Sequence, residues 1–85
     1  MAKKRALNSF IIEHNLDEAI EELIRIRERV ASGDLKVGQL QVWLAHAYHH
    51  INVAWNARYA STEAYAHLTQ TQFNRWGKFP KNIAD

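Results

Sequence analysis

Apolar residues recur at helical spacing in the first part of the chain. Over residues 16–30 they follow one another at intervals that predict an amphipathic helix: Leu16, Ile20, Leu23, Ile24, Ile26 and Val30. Asn15 is followed three residues later by Glu18, the spacing of a capping box, and Gly33 suits a left-handed helix end. We therefore expect a helix from Asn15 to Gly33. The residues before it form either an earlier turn from a Ser9 cap or a short separate piece.

A second apolar stripe extends from residue 36 to residue 76. Wound at 100° per residue, its members fall within one arc without a break in phase: Val37, Leu40, Leu44, Ile51, Trp55, Thr62, Tyr65, Thr69, Phe73 and Trp76. Asp34 is placed to cap this helix, and Gly77 followed by Pro80 ends it. The preserved phase favours one long helix over about 36–76. The alternative is a break near Ser61 that gives two helices.

The two stripes predict an all-α protein, an antiparallel helical hairpin with a long second helix. A helix of about 40 residues is about 60 Å long, and the first helix covers little more than half of it. Its uncovered apolar part needs a partner, so we expect an intertwined dimer or a higher helical bundle. With a break near Ser61, a three-helix bundle is the alternative. The predicted division is a basic arm over 1–8, one helical domain over 9–77 and a tail over 78–85.

Composition limits the class of protein. The 85 residues include no cysteine, which excludes disulfides, thiolate metal sites and cysteine catalysis. Eighteen of the 20 charged residues lie outside 37–74, where only Arg58 and Glu63 are charged. Many polar groups, three histidines among them, interrupt the uncharged stretch 37–57 and argue against a membrane span. We expect a soluble, cytoplasmic protein without membrane contact.

The long uncharged helix carries a second, polar face. We expect this face to bind a protein partner, with one tryptophan as anchor beside polar contacts: Trp43, His46, His49, His50, Asn52 and Asn56. The sequence thus predicts a small self-associating helical interaction module, an adaptor, regulator or inhibitor that acts by binding. The sequence has no serine in the context of a nucleophile and no glycine-rich phosphate loop, so we expect neither an enzyme nor a cofactor.

Basic residues near both ends support an alternative function. Cations combined with stacking aromatics are typical of nucleic-acid contacts. They predict a nucleic-acid-binding helical dimer that uses Lys3, Lys4, Arg5, Arg58, Arg75, Lys78 and Lys81. In a hairpin, the N-terminal arm is expected near Arg58 and Tyr59. The acidic first helix, with seven acids against three arginines over 13–34, argues against this function.

A second alternative is a histidine-based metal site. His46 and His50 are four residues apart, so a helix presents both imidazoles on one side, as in helical zinc sites. Further ligands are expected from His14, His67 or Glu63, or from a second subunit. The acidic residues of the first helix are instead interpreted as a solvated face that pairs with arginines: Glu18, Glu21 and Glu22.

Overall fold

Two long helices form an antiparallel hairpin, and two short helices follow it. A computed structural model describes residues 5–83, which contain four helices and no strand: α1 (Ser9–Ser32), α2 (Val37–Asn56), α3 (Thr62–Ala66) and α4 (Gln70–Trp76). α1 and α2 pack against each other along most of their length. The predicted all-α helical hairpin is confirmed.

α1 begins earlier than the capping box at Asn15 predicts. Asn8 is the N-cap, and its Oδ1 accepts a hydrogen bond from the backbone N–H of Ile11 at 3.2 Å. Asn15 lies inside the helix, so the predicted cap there is wrong. The alternative of an earlier turn of the same helix is correct, although its cap is Asn8 rather than Ser9. The Asn8 side chain also donates to the carbonyl of Ala60 at 2.9 Å, which joins the start of α1 to the chain after α2.

The turn between α1 and α2 is built around Gly33. Its φ of 76° is the left-handed conformation predicted for a glycine at this helix end. Asp34, however, does not cap α2, which begins at Val37. Its carboxylate instead accepts hydrogen bonds from the Ser32 hydroxyl at 2.6 Å and from Arg29 at 3.2 Å, so it braces the turn on the α1 side.

The single helix expected over about 36–76 is wrong. The chain breaks near Ser61 as the alternative stated, but a second break follows, so residues 62–76 form two short helices rather than one and the three-helix bundle is not formed. α2 ends at Asn56. The Ser61 hydroxyl then caps α3 by accepting from the N–H of Ala64 at 3.0 Å, and Thr69 forms a capping box at the start of α4. With no overhanging helix, the length argument for an intertwined dimer loses its basis.

The buried core lies at the open end of the hairpin. α3 and α4 fold back there, and aromatic and small side chains form one cluster: Ile11, Val53, Ala57 and Trp76, flanked by Ala60, Tyr65 and Leu68. The Tyr65 and Trp76 rings stack with centroids 6.3 Å apart. This packing explains the preserved helical phase beyond residue 61, because the same apolar residues pack onto the hairpin from short helices, α3 against α1 and α4 against α2, instead of extending α2.

The molecule is elongated for its length. Its radius of gyration is 15.1 Å and its extents are 56 × 25 × 23 Å, whereas a compact domain of this size has a radius of about 12 Å. Much of the hairpin is therefore covered on one side only. Among the helices of residues 5–83, none combines the length and apolar character needed to cross a lipid bilayer.

Candidate functional site

A buried asparagine lies at the centre of a polar cluster between α1 and α2. The Nδ2 of Asn15 donates to the carbonyl of Ile11 at 2.8 Å and to the hydroxyl of Tyr65 at 3.1 Å. Because a carbonyl oxygen can only accept, these bonds fix the amide orientation and turn Asn15 Oδ1 toward His50. His50 Nδ1 lies 2.7 Å from that oxygen, so Nδ1 carries a proton and donates it.

Two imidazoles meet at their Nε2 atoms on α2. His50 Nε2 lies 3.0 Å from His46 Nε2, which confirms that the four-residue spacing places both rings together. At its other edge, His46 Nδ1 lies 3.6 Å from Glu22 Oε2. Glu22 is only 6% exposed and forms an ion pair with Arg25 at 3.2 Å. Each imidazole thus directs its Nδ1 to a polar group of α1 and its Nε2 to the other ring.

Glu18 supplies the third group of this cluster. One carboxylate oxygen of Glu18 and one nitrogen each from His46 and His50 all lie within 4.8 Å of one another. Glu18 is one turn before Glu22 on α1, so both carboxylates face α2. The structure gathers this group from Glu18 rather than from the ligands expected in sequence, namely His14, His67 and Glu63. We call the side of the hairpin defined by Glu18, Glu22, His46 and His50 the histidine face.

Burial favours the neutral imidazole at His50, on the histidine face, and at the neighbouring His49. Burial lowers the pKa of His50, and the nearby His46 and His49 lower it further. Burial likewise lowers the pKa of His49, with His46 as the second cause. A neutral imidazole keeps one ring nitrogen free to accept a hydrogen bond or to bind a metal.

The third histidine of α2, His49, lies between this cluster and α4, and its ring centroid is 5.3 Å from that of His50. The His49 ring lies 4.3 Å from the Phe73 ring, measured between centroids. A Cβ at residue 77 would come too close to His49 Nδ1, so any larger residue there would require the imidazole or the end of α4 to move. Gly77 therefore lets the end of α4 approach α2 closely.

The remaining residues predicted as partner contacts are engaged within the chain. Asn52 donates to the carbonyl of Gly77 at 2.9 Å, and Asn56 donates to the carbonyls of Trp76 and Lys78, each at 2.8 Å. Trp43 lies beneath the guanidinium groups of two α1 arginines, Arg25 at 5.4 Å and Arg29 at 6.0 Å. These contacts hold the chain's own C-terminal segment and α1 against α2.

The opposite side of the hairpin is apolar and uncovered. We call it the apolar face, and it comprises Ile12, Leu16, Ile20, Leu23, Leu44, Tyr48, Ile51 and Trp55. One groove of about 430 Å³ lies beside Leu23, Leu44 and Tyr48, and another of about 260 Å³ lies beside Ile12 and Trp55. Ile51 lines both grooves, so the two grooves lie next to each other on the apolar face. Among the described residues, Arg58 is the only charged side chain lining either groove.

The basic residues of the alternative function cluster only in part. The Arg5 guanidinium lies 4.3 Å above the Tyr59 ring, so the expected approach of the N-terminal arm to this region is confirmed at Arg5. Arg58 lies 3.8 Å above the Trp55 ring. Lys3 and Lys4 lie outside the described residues. The other three cations are exposed on α4 and after it: Arg75, Lys78 and Lys81.

Sequence reasoning missed three members of the polar cluster, all on α1. Asn15 was assigned to a helix cap, and Glu18 and Glu22 to a solvated face. A signal was present, because Asn15 and Glu22 are seven residues apart and differ by only about 20° around a helix. Together with Ile11 and Ala19 they mark one buried face.

Comparison of the chain with protein-family models, with curated proteins and with solved structures gives no match. Functional inference for this chain depends on its own geometry.

Proposed function

We propose that this chain is a self-associating helical interaction module whose working form is a homodimer joined through the apolar face. The observation that carries the proposal is the continuous apolar strip on α1 and α2, which no other part of residues 5–83 covers. Six of its large side chains remain between 43% and 51% exposed: Leu16, Ile20, Leu23, Leu44, Tyr48 and Ile51. A contiguous apolar surface of this kind is typical of an interface.

The accessible area supports a partner of about the size of this chain. The chain exposes 6550 Å², whereas a compact monomer of 9.9 kDa exposes about 5,200 Å². The difference between these two exposed areas is larger than the roughly 800 Å² that each partner buries in a standard interface. Burial of the apolar face in a dimer would therefore bring the exposed area close to that of ordinary globular proteins.

A second copy fits the chemistry of this strip. Two identical strips related by a twofold axis place apolar side chains against apolar side chains, and within residues 5–83 Arg58 is the one charged residue that lines a groove. Two antiparallel hairpins paired in this way form a four-helix bundle, in which the open side of each hairpin becomes the common core. The histidine face and the C-terminal segment then remain on the outside.

Solution mass tests the proposal directly. We expect the full chain to sediment with twice its mass of 9.9 kDa at micromolar concentration and above. Ile51→Glu places a charge where the two grooves meet, so this variant is expected to be monomeric. Ile51 is 46% exposed, and its replacement empties no closed core.

Val42→Glu is the matched control on the same helix. Val42 is 63% exposed and lines neither groove, so this variant should remain dimeric. A wild-type monomer over the whole concentration range would overturn the proposal. Equal dissociation of the two variants would place the interface elsewhere and would also reject it.

A further inference from the structure

We propose that Glu18, His46 and His50 form a binding site for a divalent transition-metal ion of the zinc class. The site is independent of the apolar face, since the three residues lie on the other side of the hairpin. It joins two ligands from consecutive turns of α2 to one ligand from α1.

The distance between the two imidazoles already suits a metal. Two nitrogens bound to tetrahedral zinc at 2.0–2.1 Å lie about 3.3 Å apart, and the two Nε2 atoms are 3.0 Å apart. The carboxylate of Glu18 is farther away, within the 4.8 Å spread of the group. Rotation about the side-chain torsions of a half-buried glutamate brings an oxygen closer by the ångström or so that is required.

Polar groups of α1 orient both imidazoles for binding through Nε2. Asn15 accepts the Nδ1 proton of His50, which leaves His50 Nε2 as the free nitrogen. Zinc binding through His46 Nε2 requires the His46 tautomer that carries its proton on Nδ1. Glu22 lies 3.6 Å from His46 Nδ1 and is placed to accept that proton after a small rotation of the ring. A carboxylate or amide behind the second nitrogen of each ligating histidine is the usual support of a zinc site.

These supporting groups are themselves held in place. Asn15 is fully buried, and its amide is fixed by the Ile11 carbonyl and the Tyr65 hydroxyl. Glu22 is held by Arg25. Side chains fixed in this manner lose little conformational entropy when an ion binds, which is the arrangement that favours tight binding.

The donor set selects the class of metal. Two imidazole nitrogens and one carboxylate oxygen suit Zn²⁺, Co²⁺ and similar ions, whereas Mg²⁺ and Ca²⁺ prefer oxygen ligands alone. Three protein ligands leave a fourth position for water, as in open zinc sites. The side chain of His46 is 46% exposed, so solvent reaches the metal position.

Titration of the metal-free full chain with Zn²⁺, monitored by calorimetry, tests the site. We expect one ion per chain and binding at least about 100-fold weaker in His50→Ala. Asn15→Ala keeps all three ligands but removes the group behind His50 Nδ1, so we expect binding about 10- to 100-fold weaker at a temperature where this variant is folded. Co²⁺ should give the intense visible absorption of a four-coordinate centre, and this absorption should be absent in His46→Ala.

His67→Ala is the matched control, because His67 is an exposed histidine outside the cluster and its loss should leave the affinity unchanged. Equal weakening by His67→Ala and His50→Ala, or a titration without saturation at one ion per chain, would overturn the assignment. The same titration on the Ile51→Glu variant separates the two proposals, since zinc affinity should persist when dimerisation is lost. Loss of zinc binding in that variant would contradict an independent site within one chain.

Discussion

The two sides of the hairpin differ in how completely the chain's own residues satisfy them. On the histidine face, polar side chains of α1 and α2 satisfy one another, and throughout residues 5–83 every buried side-chain nitrogen and oxygen has a hydrogen-bond partner. On the apolar face, large aliphatic side chains remain about half exposed and contact no further element. The described part of the chain thus satisfies its buried polar groups but leaves the apolar face open. This difference is the basis for proposing a small ligand on the histidine face and a second subunit on the apolar face.

Among these predictions, the largest loss of stability is expected from removal of the Asn15 amide beside the histidine face. Asn15→Ala leaves His50 Nδ1 and the Tyr65 hydroxyl without their partner in a buried location. We expect the free energy of unfolding to fall by about 3 kcal/mol, as measured by urea denaturation at constant protein concentration.

Asn74→Ala is the control for this change. Asn74 is exposed on α4, and its side-chain oxygen accepts a hydrogen bond from Gln70 Nε2 at 3.0 Å. Its replacement by alanine should therefore lower the free energy of unfolding by no more than about 0.5 kcal/mol. Similar losses in the two variants would show that the buried network contributes no special stability.

The close approach of the C-terminal segment should respond to a single methyl group. Gly77→Ala places a Cβ against His49 Nδ1, so either the imidazole or the end of α4 must move. We expect a loss of about 1–2 kcal/mol in the free energy of unfolding. Gly38→Ala should instead gain about 0.5 kcal/mol, because Gly38 is helical and has open space around its Cα. A loss in both variants would contradict the close packing at Gly77.

A truncation on the apolar face should reveal a dependence on concentration. Ile20 is 51% exposed, so Ile20→Ala should change the stability of the dilute chain by less than about 1 kcal/mol. At high concentration, where the dimer forms, the difference from wild type should grow. Thermal melts over a range of concentrations measure this. If the stability difference between Ile20→Ala and wild type were the same at all concentrations, Ile20 would not lie in a dimer interface.

The smallest effect is expected at the turn that both faces share. The Ser32 hydroxyl, and then Arg29, lower the pKa of Asp34 below its ordinary value of 3.8. A lowered carboxyl pKa in the folded state gives stability that is present above the unfolded pKa and is lost as the pH falls through the folded pKa. A carboxyl NMR titration should place Asp34 below its value in Ser32→Ala. Equal pKa values in the two proteins would contradict this contact.

Residue types that act locally were predictable, and those that depend on tertiary contacts were not. Gly33 was identified from its conformational freedom alone, and His46 and His50 from their spacing. The continuity of the second helix was misjudged because the residues after Ser61 keep the helical phase while packing from short helices. Ser61 and Thr69 each cap a short helix, and this local signal for a break is one that the phase of the apolar stripe does not contain.

The site was predictable only where one helix supplies it. The histidine pair is a property of α2, whereas Glu18 and Asn15 join it through the register between α1 and α2. The sequence does not determine which residues of α1 lie opposite His46 and His50. A helix predicted to start at Asn15 also leaves Asn15 outside the packed part of α1.

Uncharged amides fasten the end of the chain to the hairpin. Asn8, Asn52 and Asn56 all donate to backbone carbonyls of the segment between Arg58 and Lys78. Such bonds contain no ion pair that dissolved salt could screen and no group that gains or loses a proton near neutrality. These hydrogen bonds should therefore persist across changes of ionic strength. The segment beside the histidine face should keep its position whether or not an ion is bound there.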